Sequence, residues 1–397
     1  MRRVLMATVM TVIMTLLLTF IISGSDEPAV HTDPEISMPA PTKEEKIFIS
    51  FSDYIRHTFD SLETVGAAYT IVYDNRVAAT ETLGKRILDT EEPVDEHTVF
   101  RLASVSKGFA GTMAAMLEDK GLLKLDDHVI DYYPGLRLKD SVNTYGLTIQ
   151  HVLSHTTGLI PHAYDNLVEA GYDLDSIIKR LQDVDISAPP GEVYSYQNVL
   201  FSIIDPISEK LTGLTYPELL RQEIFLPLGM SDASAGKIDT TVNPNIAFPH
   251  LKGRSSYFPV NLNEGYYNVL PAAGVNASIS DMAKWLLALL GGNETFRTDM
   301  LEKLCTPVIY TPLKWQYTRH WEPFRERYYS LGWRIYDYKG RRILYHGGYV
   351  RGYRAEIAFC PEEQVGIAFL QNSPNGMASR VVPEFFNRFF ERSQANL

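Results

Sequence analysis

Apolar and polar positions along the chain change period several times, and each change marks an element. Residues 44–62 repeat apolar positions every three to four, the spacing of an amphipathic helix. Gly66 to Ile87 read as a hairpin of two β-rich runs, with the turn at Asp74-Asn75. Residues 104–120 return to helical spacing, with Met113, Ala114, Met116 and Leu117 on one stripe and Gly121 as the stop. From about 120 to 250 the pattern is short helices and proline-rich loops. Residues 280–290 form an apolar helix for which Ser280 is the expected cap and Gly291-Gly292 the stop. Strand-like runs close the chain at 329–338, 341–346, 353–360 and 365–371.

Strands at both ends and helices between predict an α/β architecture of the α+β type. An antiparallel sheet flanked by helices (46–103 and 270–397) would be interrupted by a mainly helical lobe (104–269). A cleft between such lobes is the default place for a site.

The first 45 residues follow another pattern. Met1-Arg2-Arg3 precedes an uncharged apolar run from Val4 to Ile22, and Ser23-Gly24-Ser25 follow. Residues 1–25 therefore read as an export segment, either a cleaved signal peptide or an uncleaved membrane anchor. Both deliver the chain outside the cytoplasm, with membrane attachment in the second case. Residues 26–45 are a linker carrying Pro28, Pro34, Pro39 and Pro41.

Composition narrows the partners. The 397 residues carry a formal net charge of −11, which disfavours nucleic acid. The two cysteines, Cys305 and Cys360, are too few for a disulfide framework or a zinc site and are expected to be unpaired. His151 and His155 have a ligand-like spacing but no evident third ligand. No metal or cofactor is expected.

The candidate chemistry begins at Phe100-Arg-Leu-Ala-Ser-Val-Ser-Lys107. Positions three apart share a helical face and adjacent ones do not, so Ser104 can meet Lys107 while Ser106 points about 100° away from it. A neutral serine needs a nearby base, and a desolvated lysine can serve. The spacing alone is weak: Ser176-Ile-Ile-Lys179 and Ser234-Ala-Gly-Lys237 share it. Only Ser104 follows a strand-like run into a helix start. Tyr196-Gln197-Asn198 and His346-Gly347-Gly348 are further candidates, the paired glycines allowing close backbone approach.

Together these segments resemble the serine penicillin-recognising hydrolases. The resemblance is to the branch of class C β-lactamases, D-alanyl-D-alanine carboxypeptidases, D-aminopeptidases and related esterases. It spans residues 46–390 and includes Leu147-Thr-Ile-Gln-His-Val-Leu-Ser-His-Thr-Thr-Gly-Leu159, Pro190-Gly191 and Phe225-Leu-Pro-Leu-Gly-Met230. It implies a β-lactamase/transpeptidase-like fold and a small-molecule or peptidoglycan-derived substrate. It also implies Ser104 as nucleophile, Lys107 as its partner, and Tyr196 as a base whose phenol is acidified by nearby cations. Asn198 would bind a substrate amide. The backbone N–H groups of Ser104 and Tyr349 would form the oxyanion hole.

His346 departs from the lysine of efficient class C β-lactamases. It points toward peptides or esters, and to activity that changes with pH in the histidine range. Arg351 and Arg354 are candidates for holding a substrate carboxylate. The rival reading is a non-catalytic envelope protein that uses the same fold to bind peptidoglycan or a partner.

Overall fold

The computed structural model describes residues 41–312, 320–321 and 324–394. The apolar run 4–22 and residues 26–40 of the linker lie outside the described residues. Among the described residues no helix is long and apolar enough to cross a membrane.

The helix α1 (Lys43–Ser61) starts at a capping box: Glu45 N–H donates to Thr42 Oγ1 (3.1 Å) and Thr42 N–H to Glu45 Oε2 (2.8 Å). Phe48, Phe51 and Ile55 lie on its buried face. The hairpin β1 (Gly66–Tyr73) and β2 (Arg76–Gly84) follows as expected. Its turn puts both Asp74 (φ 50°) and Asn75 (φ 55°) in the left-handed region, the geometry of a two-residue hairpin turn.

Six more strands complete one antiparallel sheet: β3 (Ile309–Tyr310), β4 (Glu326–Tyr329), β5 (Arg334–Tyr338), β6 (Arg341–Val350), β7 (Tyr353–Cys360) and β8 (Val365–Gln371). The order is β2-β1-β8-β7-β6-β5-β4-β3, so the first hairpin pairs directly with the last strand. One layer against the sheet is α1 with the C-terminal helix α4 (Ala378–Gln394), joined by contacts such as Phe51–Phe385 (5.3 Å between ring centroids). The pattern did not predict α4, because Pro383 inside it reads as a stop.

Two boundaries differ from expectation. The run 329–338 is two strands, because Ser330–Trp333 close a tight turn with Gly332 at φ 78°. The helix α3 (Ile279–Leu289) is capped by Ser278, not Ser280. Ser278 makes a reciprocal box with Asp281, whose N–H donates to Ser278 Oγ (3.2 Å), whereas the N–H of Ser280 is committed to Glu96 O.

The helix that matters for the site is α2 (Ser106–Asp119), buried from Ser106 to Leu117. Its glycines let the β4–β5 turn press onto its backbone. A Cβ on Gly111 would lie 2.0 Å from Leu331 O, and one on Gly108 2.5 Å from the Trp333 ring. From the other side, a Cβ on Gly332 would lie 2.1 Å from Lys107 O. Gly111→Ala must therefore separate helix and sheet. Overpacking of this kind costs about 1–3 kcal/mol or more. The measurement is the urea midpoint, and an unchanged midpoint would contradict the docking.

Candidate active site

Ser104 lies in a single 3-10 turn, Ala103–Val105, that leads into α2. The residue before it, Ala103, is held at φ 49°, a backbone strain that non-glycine residues seldom carry. Strand β6 presses on this turn. A Cβ on Gly348 would lie 2.2 Å from Leu102 O and 3.0 Å from Ser104 N. Gly348 is thus required by the protein's own packing rather than by an approaching substrate. The same contact brings the strand backbone beside the Ser104 amide. Gly347 lines the cavity, and Tyr349, 58% exposed, stands at its rim.

Lys107 is wholly buried. Its Nζ lies 3.4 Å from Ser104 Oγ and donates to Asn198 Oδ1 (2.8 Å) and Ala272 O (3.0 Å). Burial holds its pKa well below the usual lysine range; Asp165 opposes this and Arg334 adds to it. Ser106, as expected, faces elsewhere: its Oγ accepts the Val275 N–H (2.9 Å). The two other Ser-x-x-Lys matches are surface features, with Lys179 paired to Asp175 and Lys237 to Glu264.

The Tyr196 ring lines the cavity beside Ser104, with Lys107 Nζ 4.7 Å from its centroid. The expected acidified phenol is not found. Burial raises its pKa, and this outweighs the lowering by Arg334 and by Ser104. Asn198 lines the cavity; it accepts from Lys107 and donates through Nδ2 to Asp165 Oδ2 (2.9 Å).

His346 is fully buried, and its ring centroid is 6.5 Å from that of Tyr196. Nδ1 donates to Gly347 O (3.0 Å), so Nε2, 3.1 Å from the Tyr329 hydroxyl, is the acceptor. Burial, then Arg334 and Lys107, hold its pKa well below the ordinary value. The expected pH response near neutrality therefore has no basis in His346.

The arginine expectations change too. Arg354 donates to the buried Glu356 (2.7 Å), and Arg351 is exposed on the β6–β7 turn. The cation beside Tyr196 is instead Arg334 on β5, its Cζ 5.6 Å from the Tyr196 centroid and 5.7 Å from that of Tyr329. Arg334 escaped the sequence reading. Its only signal was a charge inside the apolar run Leu331-Gly-Trp-Arg-Ile-Tyr336. Of the two histidines with ligand-like spacing, His151 caps a helix with Thr148, and His155 packs against Tyr196 (4.2 Å between centroids). Cys305 and Cys360 are both free thiols.

These residues surround a cavity of about 370 Å³ whose lining includes Ser104, Asp165, Tyr196, Asn198, Arg327, Arg334, Gly347 and Arg354. A serine, a buried amine and a phenol thus meet at one cleft. The Beta-lactamase family model matches residues 51–388, and the chain belongs to that family. It has the β-lactamase/transpeptidase-like fold.

Among its relatives, a hydrolase of unguisins, ungD, from Aspergillus violaceofuscus (strain CBS 115571) is 26% identical over 365 residues. That match covers 81% of this chain and 61% of the relative, so the chain spans about three-fifths of that protein's length. A beta-lactamase from Escherichia coli (strain K12) is 23% identical, covering 80% of this chain and 86% of the relative. The octameric penicillin-binding protein homologue from Pyrococcus abyssi superposes with a TM-score of 0.75 at 24% identity, covering 86% of this chain and 77% of that one. The class C beta lactamase from Rhodobacter sphaeroides gives 0.71 at 21% identity, covering 86% and 99%.

A neutral His346 has a direct readout. Its ring signals, assigned by comparison with His346→Asn, should not move in NMR spectra between pH 8 and about pH 6, the ordinary histidine range. A midpoint at or above that value would contradict the buried, Nδ1-protonated state.

Proposed function

We propose that this chain is an exported serine hydrolase that forms an acyl-enzyme on Ser104 and cleaves an amide or ester. The observation that carries the reading is the environment of Lys107. A neutral amine has two N–H bonds and one lone pair. Asn198 Oδ1 and Ala272 O accept the two N–H bonds, which leaves the lone pair for Ser104.

In acylation Ser104 Oγ attacks the substrate carbonyl carbon as its proton passes to Lys107 Nζ. The ammonium that forms is stabilised by the two acceptors and by the charge of Asp165. The backbone N–H groups of Ser104 and Tyr349 stabilise the oxyanion. The proton then returns, through the neutral Tyr196 phenol, to the leaving amine or alcohol. Water entering the cleared side loses a proton along the same path and releases the acid. Tyr196 is thus a relay rather than a standing phenolate.

The neutral His346 favours peptides and esters over β-lactams as substrates, because it lacks the fixed charge that a lysine would place there. The relatives' names extend from unguisin hydrolase to beta-lactamase and penicillin-binding protein, which sets the range of substrates to test. The apolar run 4–22 after Arg2-Arg3 supports export, by a cleaved signal or as an anchor.

A fluorophosphonate should label the protein covalently, and Ser104→Ala should abolish both labelling and turnover. Ser106→Ala should keep most activity, with some loss of stability because the Val275 N–H is orphaned. Equal loss of activity in the two variants, both folded, would sink the assignment and favour a non-catalytic binder.

Tyr196→Phe should lower kcat on the order of 10²–10⁴-fold, the scale for a lost proton-transfer group. The assay is a panel of nitrocefin, a D-Ala-D-Ala peptide and p-nitrophenyl esters. Near-normal turnover by Tyr196→Phe would mean that Lys107 works alone.

A further inference from the structure

The hydrogen bonds around Lys107 have a direction, and Lys107 does not set it. A neutral amine can give an N–H or take one through its lone pair. A primary amide can turn either end toward a neighbour, because its oxygen and its NH₂ exchange places in a half-turn of the side chain. The contact between Lys107 and Asn198 (2.8 Å) is therefore compatible with two arrangements. In one, Lys107 donates to Asn198 Oδ1 and keeps its lone pair for Ser104. In the other, Asn198 Nδ2 donates to Lys107 and occupies that lone pair, so Ser104 loses its base.

Asp165 selects the first arrangement. Its Oδ2 lies 2.9 Å from Asn198 Nδ2. A carboxylate only accepts, so the amide must turn its NH₂ toward Asp165 and its oxygen toward Lys107. The same Oδ2 lies 2.8 Å from His162 Nδ1, which donates to it in turn. The carbonyl of Ala272 takes the second N–H of Lys107 (3.0 Å). From Ser104 through Lys107 and Asn198 to Asp165, each group then turns its proton toward the carboxylate. The reversed amide would set two oxygens against each other. With Asn198 only 6% exposed, its NH₂ without Asp165 would be left unpaired at a desolvation cost.

The backbone that places Asp165 is unusual. Asp165 opens the short helix Asp165–Glu169, and two residues just before it, His162 (φ 60°) and Tyr164 (φ 61°), are in the left-handed region. Strain of this kind in non-glycine residues persists where the surroundings over-determine it. The surroundings here include the site itself: the His162 N–H donates to Tyr196 O (2.8 Å), which ties the turn to the segment that carries Asn198.

We infer that Asp165 is a positioning residue for acylation, which fixes the orientation of the Asn198 amide and through it keeps the Lys107 lone pair on Ser104. This deepens the Ser104 acyl-enzyme reading and rests on it. The role differs from stabilisation of the ammonium by the Asp165 charge, which acts through space and does not need Asn198.

The test is a double-mutant cycle read by the rate of fluorophosphonate labelling, followed over hours so that slow variants are measured. Asp165→Asn keeps the shape but offers Asn198 a donor as well as an acceptor, so both amide orientations become available. The labelling rate should fall by about 10–100-fold, part of the 10²–10⁴-fold that a general base contributes. In single-turnover acylation by a p-nitrophenyl ester the maximal rate should fall, while the half-saturating concentration stays within about twofold. Asn198→Ala should also slow labelling. In that background Asp165→Asn should cost no more than about threefold, because the group through which Asp165 acts is gone.

Losses that multiply in full in the double variant overturn the positioning role and leave the Ser104 reading standing. So does a wild-type rate in folded Asp165→Asn. A wild type that is not labelled overturns the acyl-enzyme reading and this role with it. Asp165→Ala, put through the same cycle, decides if Asp165→Asn does not fold.

Discussion

The site depends on one buried amine. Lys107 has no contact with water, and an ammonium there would carry a large desolvation cost. The fold meets that cost with two acceptors, Asn198 Oδ1 from the helical segment and Ala272 O from the chain returning to the sheet. Each comes from a region distant in sequence, so the amine acts as a junction. If it moves, Asn198 loses its orientation toward Asp165, and the cavity wall that carries Tyr196 loses an anchor. The burial that lowers the pKa of Lys107 also makes it a structural centre.

That junction is held by close backbone approaches and by the Trp333 ring lying against Gly108. Gly108 and Gly111 on α2, Gly332 in the β4–β5 turn and Gly348 on β6 all occupy places where a single added carbon would meet another chain segment. Helix, turn and strand are therefore closer than side chains would permit. This density fixes Ser104 relative to β6 and holds Ala103 in its strained conformation. The same closeness explains why Gly348 is needed before any substrate arrives.

Around this rigid centre the charges are arranged against the overall character of the protein. The surface is acidic in sum, yet the cavity gathers Arg327, Arg334 and Arg354 among tyrosines. Arg334 stands where it biases three groups at once. It helps keep Lys107 and His346 neutral and draws the Tyr196 phenol partway toward its ordinary acidity. Arg334, on the strand next to the His-Gly-Gly motif, is the guanidinium beside Tyr196.

The sequence by itself determined most of the elements and the three motifs that meet at the cavity. Helical spacing separated Ser104 from Ser106, hairpin chemistry placed the turn at Asp74-Asn75, and the order of motifs gave the fold. These are properties of local geometry and of residue type, and both are readable along one chain. What only the tertiary structure decided was electrostatic. The state of Tyr196, the neutrality of His346, the engagement of Asn198 and Arg354, and the role of Arg334 all follow from burial and from neighbours far away in the chain. A pKa is set by the solvent that a group loses and the charges it gains, and neither is encoded at the group's own position. The C-terminal helix and the split of 329–338 escaped for a related reason. Packing of the Phe385 face overrode the stop signal of Pro383, and docking of the β4–β5 turn onto α2 cut an otherwise continuous strand.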